Sequence, residues 1–278
     1  MADFAECLIA LSLLAVLPLV RRYAYEAFLY SHLALAIILA IVLWEHLQLK
    51  RRFSKILLLL ASVSFLITSA LSYLHQAYRN ISWTSSGLKL VRACWSQRFG
   101  DSLIVELKLS RSLHVIPGQH IFLTFLTLRY GSMFQRHPLM VTWWRTLPGE
   151  TEARSIFVVI RQQRGWTRRL LTSQSSFTGC AAWIDGPFGT SYDLQEYGTV
   201  LMFASGDGIF AQLPFIKSLT EDSKRAAIKT RRIKLVWQTE EYHGQLQQWM
   251  QSILDDEEVS LEVSRKCTDG DDILTNEC

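Results

Sequence analysis

Apolar residues crowd the first eighty positions of this chain, and a different rhythm takes over after them. From Ala27 to Leu49 an apolar stretch carries His32, Trp44, Glu45, His46 and Gln48 as its main interruptions. At about 1.5 Å of rise per residue it reaches across a bilayer, which predicts a transmembrane helix. Ile56 to Leu74 has no charged residue and predicts a second span. Its hydroxyls (Ser62, Ser64, Thr68, Ser69, Ser72) are expected to bond back to helix carbonyls or to neighbouring helices. Phe4 to Val20 is a shorter third segment, with Glu6 near its start and Pro18 near its end. No basic residue precedes it, Arg21 and Arg22 follow it, and no small-x-small site lies before them, so a partial or full span is expected rather than a secretory signal.

After Tyr78 the period shortens. Ser102 to Leu109 (SLIVELKL) alternates, HIFLTFLT follows the turn at Pro117-Gly118, and Ser155 to Gln162 is rich in β-branched residues. Leu88 to Asp185 therefore predicts a small antiparallel barrel. Beyond Asp185 come a strand (Thr199 to Ser205), a glycine turn, a helix to about Leu219, a strand (Ile233 to Thr239) and a helix from about Gly244 to Leu254. That order predicts an open α/β unit with parallel strands, Leu261 to Thr268 supplying a third. The expected domains are 1–80 for the membrane helices, 81–190 for the barrel and 191–278 for a partial α/β domain.

Composition adds exclusions. A net charge of +4 with no block of five like charges does not support a nucleic-acid partner. The five cysteines (Cys7, Cys94, Cys180, Cys267, Cys278) form no C-x-x-C pair, so zinc and dithiol chemistry are not expected. Basic residues flank both turns of the membrane third, Arg21 and Arg22 in one and Lys50, Arg51, Arg52 and Lys55 in the other. If all segments span, those turns face opposite sides, and loop charge does not orient the protein.

His32 and His46 are the polar pair that needs a reason. Fourteen residues apart, they fall within about 40° of one helix face and about 21 Å apart along its axis. Polar groups at bilayer depth are costly and point to function, and neutral imidazole is an iron ligand, although bonds to neighbouring helices are the alternative use. The stretch RRYAYEAFLYSHLALAIILAIVLWEH, Arg21 to His46, resembles the penultimate haem-carrying helix of the fungal ferric reductase transmembrane components, relatives of the NADPH oxidases. That resemblance implies that His32 and His46 are haem ligands. It also implies a second spaced pair on an earlier helix, so this chain is expected to hold half of each haem site.

The soluble motifs extend the resemblance. Phe134-Gln135-Arg136-His137-Pro138-Leu139-Met140-Val141 resembles the family's flavin-binding strand, in which a histidine-proline pair is followed by an aromatic and then a serine or threonine. Leu139 and Met140 take those last two places, so a hydroxyl to the flavin is lost while an apolar ring pocket is expected to survive. Arg161 to Leu170 resembles the segment that meets the FAD pyrophosphate, with Gly165 allowing close approach, Thr167 donating a hydroxyl and Arg164 adding positive charge. Gly186-Pro187-Phe188-Gly189 matches the family's linker between flavin and nicotinamide modules.

Gly206, Asp207 and Gly208 lie between a strand and a helix, where dinucleotide phosphates dock. Asp207 is expected to set a carboxylate against the incoming pyrophosphate, which counts against NADPH. The chain ends without the family's cysteine-glycine-proline motif, and with the missing haem partners this suggests truncation at both ends. The expected fold is a multi-domain membrane protein, with transmembrane α-helices, a ferredoxin-reductase-like antiparallel β-barrel and a partial α/β nucleotide-binding domain.

The resemblance implies an integral membrane oxidoreductase, in the plasma membrane with its soluble part cytosolic. It would pass electrons from NADPH through FAD and haem b to ferric chelate or a related acceptor. Self-association is a further expectation, as a way to complete the haem sites. The alternative is a truncated, non-catalytic membrane-bound flavin-domain protein.

Overall fold

The computed structural model describes residues 6, 25–47, 52–85, 87–99, 102–126, 136–147, 149–161, 179–224, 228–238, 245–254, 260–266 and 273–275. The chain divides into two compact units, Met1–Ala77 and Tyr78–Cys278.

In the first unit helix α1 covers Tyr25–His46, and helix α2 begins at Arg52 and runs to Asn80, its last turn belonging to the second unit. Phe28–Glu45 and Phe53–Asn80 are long and apolar enough to cross a bilayer. The hydroxyls turn inward on their own helices: Ser62 Oγ donates to the Leu58 carbonyl at 2.9 Å and Thr68 Oγ1 to that of Ser64 at 2.9 Å. Ser31 does the same toward Phe28 at 3.0 Å. Apart from Glu6, the Phe4 to Val20 segment lies outside the described residues.

The second unit opens with β1 (Ile81–Thr84), β2 (Gly87–Phe99), β3 (Ser102–Leu113), β4 (His120–Phe125), β5 (His137–Thr146), β6 (Ala153–Arg161) and β7 (Cys180–Phe188). Their order is β1-β2-β3-β6-β5-β4-β7, every pair is antiparallel, and β2 also pairs with β7. That last pairing closes six strands into a barrel and removes their free edges. Leu103, Val105, Leu107, Ile121, Leu123, Val141, Ile156, Val158 and Ile184 fill it, one side of each alternating strand.

The expected α/β unit follows: β8 (Thr199–Ser205), a 3-10 turn at Gly206–Gly208, α3 (Ile209–Lys224), β9 (Arg232–Gln238), α4 (Gln245–Leu254) and β10 (Ser260–Lys266). β8, β9 and β10 are parallel, and β11 (Ile273–Thr275) adds an antiparallel fourth strand. α4 buries Leu246, Trp249, Met250 and Ile253, the spacing of one helix face.

The outer face of the barrel is apolar where this second unit's helices meet it. Ile104 on β3, Trp143 on β5 and Phe157 on β6 belong to the α/β core rather than to the barrel's own. Trp143 stacks on Trp249 at 5.3 Å and 13°, and Phe157 meets the same indole edge-on at 5.1 Å. Strand β3 is consequently buried on both faces from Ser102 to Val105.

The way into the barrel is sewn down by polar groups. Asn80 is fully buried; its side-chain amide donates to the Ile184 carbonyl at 2.7 Å and accepts from the Ile184 N–H at 2.7 Å, as a neighbouring strand would. Arg79 donates to the Gly186 carbonyl, Ser110 Oγ to the Arg79 carbonyl at 2.5 Å, and Arg111 Nε to the Tyr78 carbonyl at 2.8 Å.

Candidate functional site

Alternation on β5 decides where the histidine-proline strand sends its side chains. His137, Leu139 and Val141 point inward: Leu139 pairs with Ile121 and packs against the barrel core, and Val141 is buried within it. Pro138 and Met140 point outward, opposite Phe122 and His120 of β4. Only Met140 of the two residues expected to form an apolar ring pocket is therefore placed to do so. Leu139 instead serves the barrel.

Met140 lines a cleft of 520 Å³ together with Gly118, Thr190, Tyr192, Phe203, Gln212 and Phe215, among others. The cleft lies between the barrel and the α/β unit. At its edge two glycine loops pack closely. At Gly118 (φ +83°) a Cβ would lie 3.1 Å from the Thr190 carbonyl oxygen, and at Gly189 (φ +107°) 3.1 Å from that of Gly118. Backbone faces backbone there, so a side chain in either place would be crowded and its backbone strained. Beside the cleft, His120, Phe122 and Phe188 form an aromatic cluster with centroids 5.7 to 6.0 Å apart.

The expected linker, Gly186-Pro187-Phe188, is the end of β7 and part of the barrel. The register of β4 against β7 shifts between His120 and Phe122, and a proline is tolerated at such an irregularity. Gly186 sits at φ +121° with the His120 carbonyl oxygen 3.2 Å from where a Cβ would be. Arg164, Gly165 and Thr167 lie outside the described residues.

Asp207 does not behave as a free carboxylate in the glycine turn. Ser102 Oγ of β3 donates to its Oδ2 at 2.6 Å, and Arg161 Nε of β6 is 3.8 Å from the same oxygen. The carboxylate is thus turned toward the barrel and its charge is partly balanced, which weakens the repulsion expected from its position. Trp237 Nε1 steadies the turn by donating to the Gly206 carbonyl at 3.0 Å, and Gly208 is exposed.

In the first unit, α1 and α2 flank an apolar groove lined on α1 by Leu33, Ala36, Ile37, Ala40, Ile41 and Trp44. His32 is absent from that lining; it is exposed and stacks on Phe28 at 5.8 Å. The side chain of His46 lies outside the described residues. Among the described residues no three metal-ligating side chains cluster.

Sequence reasoning missed Thr190, Tyr192, Phe203, Gln212 and Ser102. Thr190 directly follows the Gly-Pro-Phe-Gly motif, which was a usable signal; the others reach the site through chain folding alone.

The second unit is thus a closed antiparallel barrel joined by a cleft to a parallel α/β unit. Residues 92–192 match the family model of an FAD-binding domain. The chain is similar in sequence to ferric reductase transmembrane components. It is 26% identical over 238 residues to ferric/cupric reductase transmembrane component 2 of Saccharomyces cerevisiae, covering 84% of this chain and 30% of that protein. It is 28% identical over 241 residues to the probable cell surface ferric reductase kap2 of Aspergillus oryzae, covering 80% and 30%. The chain thus spans about three tenths of the length of these relatives. Among solved structures it aligns with a ferredoxin reductase of carbazole 1,9a-dioxygenase at a TM-score of 0.48 and 14% identity, covering 65% of this chain and 51% of that one.

Two measurements follow from this geometry. Asp207→Ala removes the acceptor of a buried hydroxyl and should cost about 1–2 kcal/mol in denaturant titration, the lower part of the range for a hydrogen bond to a charged group because Asp207 is partly exposed. Asp207→Asn keeps an acceptor and should lose less; equal losses would show that the bond does not fasten the turn.

Burial holds the His137 imidazole below its ordinary pKa of 6.5. The folded state then binds fewer protons than the unfolded one. Its contribution is complete above pH 6.5 and is lost as pH falls through the lowered folded value. Urea midpoints should drop between pH 7 and 5, and His137→Gln should flatten that slope.

Proposed function

We propose that this chain is part of a ferric reductase-type membrane oxidoreductase that passes electrons from NADPH through FAD and haem to ferric iron. The observation that carries the reading is the outward face of β5: Met140, which lies in the segment that matches an FAD-binding domain, opens onto a mainly apolar cleft. A flat aromatic ring fits such a cleft, which has mostly apolar walls and a few polar groups to orient a ligand. Bound FAD supplies the chemistry that links a two-electron hydride donor to one-electron acceptors.

The residues around the cleft have separable tasks. Met140, Phe203 and Phe215 exclude water and give the ring apolar contact, while the Thr190 hydroxyl and the Gln212 amide orient its polar edge. Gly118 and Gly189 let the backbone approach. Arg164, Gly165 and Thr167 are assigned to the FAD pyrophosphate. Gly206 and Gly208 are assigned to the NADPH phosphates, and Asp207 is their fastening to the barrel rather than an obstacle.

His32 and His46 are assigned as haem ligands, one for each of two irons. They sit on a helix apolar enough to span a bilayer, and His32 lies clear of the groove that α1 forms with α2. The soluble unit is assigned to the cytosol, where NADPH is found.

The test uses the whole chain in isolated membranes supplied with FAD and NADPH, with a coloured ferrous chelator as the readout. Iron reduction dependent on both cofactors is expected. Met140→Thr should tighten FAD binding about two- to tenfold in a fluorescence titration, since one added hydrogen bond contributes about 0.5–1.5 kcal/mol. No saturable FAD binding by either form would sink the flavin assignment. Separately, dithionite-reduced minus oxidised spectra of these membranes should show a haem band that is lost in His32→Ala; a band unchanged by that substitution would remove His32 from the ligand set.

A further inference from the structure

We infer that the hairpin β1–β2 is a membrane-interface anchor, with Trp83 and Leu88 inserted among lipid headgroups. Trp83 is 83% exposed, more than any other large apolar or aromatic side chain among the described residues, and Leu88 is 55% exposed. The two are direct partners in the antiparallel ladder, so they share one face of the hairpin. Ile81 and Leu90 are the next partners on that face. The opposite face carries Ser82, which is buried, with Oγ donating to the Ser110 carbonyl at 3.0 Å. One side of the hairpin therefore belongs to the barrel, and the other offers an unpartnered tryptophan–leucine pair to the surroundings.

Lipid is the occupant favoured by what lies next to this pair in the chain. The apolar window of α2 ends at Asn80, three residues before Trp83. At about 3.4 Å per residue the indole's backbone lies within roughly 10 Å of the helix end. The window's 28 residues extend about 42 Å as a helix, longer than a hydrocarbon core of about 30 Å, so its last turns reach headgroup depth. Tyr73 and Tyr78 are both exposed on those turns.

Tryptophan and tyrosine favour this layer, where a ring meets hydrocarbon and its N–H or O–H meets water. The Arg111 guanidinium lies 4.0 Å over the Tyr78 ring, which sets a cation where lipid phosphates run. The hairpin is also held in place: the bonds of Tyr78, Arg79 and Asn80 to Arg111, Gly186 and Ile184 tie its entry to the barrel.

The inference rests on the membrane reading of α2, and its test separates the two. A photo-crosslinking benzoylphenylalanine replaces Leu88 in one full-length variant and Leu66 of α2 in another; both sites are exposed, so folding is spared. After irradiation in native membranes, mass spectrometry of the labelled peptide is expected to show a mass shift of one phospholipid at both positions. In the Leu88 variant the shift should be lost when Trp83→Ser is added. A lipid adduct at 66 with none at 88 overturns the anchor and leaves the membrane reading intact. A protein adduct at 88 overturns it in favour of a protein partner. No lipid adduct at either position overturns both.

Discussion

The stack of Trp143 on Trp249 is the contact on which the second unit's arrangement depends. A barrel usually needs only one apolar face per strand, but here β3, β5 and β6 also turn Ile104, Trp143 and Phe157 outward. Those residues share a core with α3 and α4, so the barrel and the α/β unit cannot separate without exposing four large side chains, Ile104, Trp143, Phe157 and Trp249. Burying a side chain of that size contributes about 1.5–3 kcal/mol. Lys217 reinforces the seam, its ammonium 4.7 Å from the Trp143 ring and 5.2 Å from Trp144 while it is ion-paired with Glu221. The cleft at Met140 has a defined width because this seam beside it is closed.

The same seam explains how the polar features fit together. Ser102 and Arg161 sit at the ends of two strands whose outer faces are already committed to the α/β unit, so the glycine turn arrives beside them and Asp207 has somewhere to bond. A charge that looks misplaced in the sequence becomes a fastening once its neighbours are known. Gly118 and Gly189 work through backbone alone, letting two loops pack closely beside the cleft.

The elements with a strong period were legible in the sequence: both apolar helices, the alternating strand from Ser102, and the amphipathic helix ending at Leu254. The parallel order of β8, β9 and β10 followed from the same reading. The facing of Leu139 and Met140 was available from strand alternation but was obscured by treating the motif as one patch. Other features were beyond reach because they join distant positions with no shared pattern, as Asn80 joins Ile184 and Ser102 joins Asp207. β11 was unreadable for a different reason, since three residues carry too little periodicity to announce a strand.

Barrel closure has a consequence for the order of events during synthesis. β2 pairs with β7 through Val91 and Ala182, about ninety residues apart. Such a long loop makes closure slow, because its entropy is lost before the contact forms. Both apolar helices and five of the barrel's six strands leave the ribosome before the strand that closes it. Until then β2 and β4 present open hydrogen-bonding edges, and the apolar outer faces of β5 and β6 have no cover. This newborn intermediate is where chaperones would be needed most, and substitutions that slow the arrival of β7 would reduce yield before they changed activity.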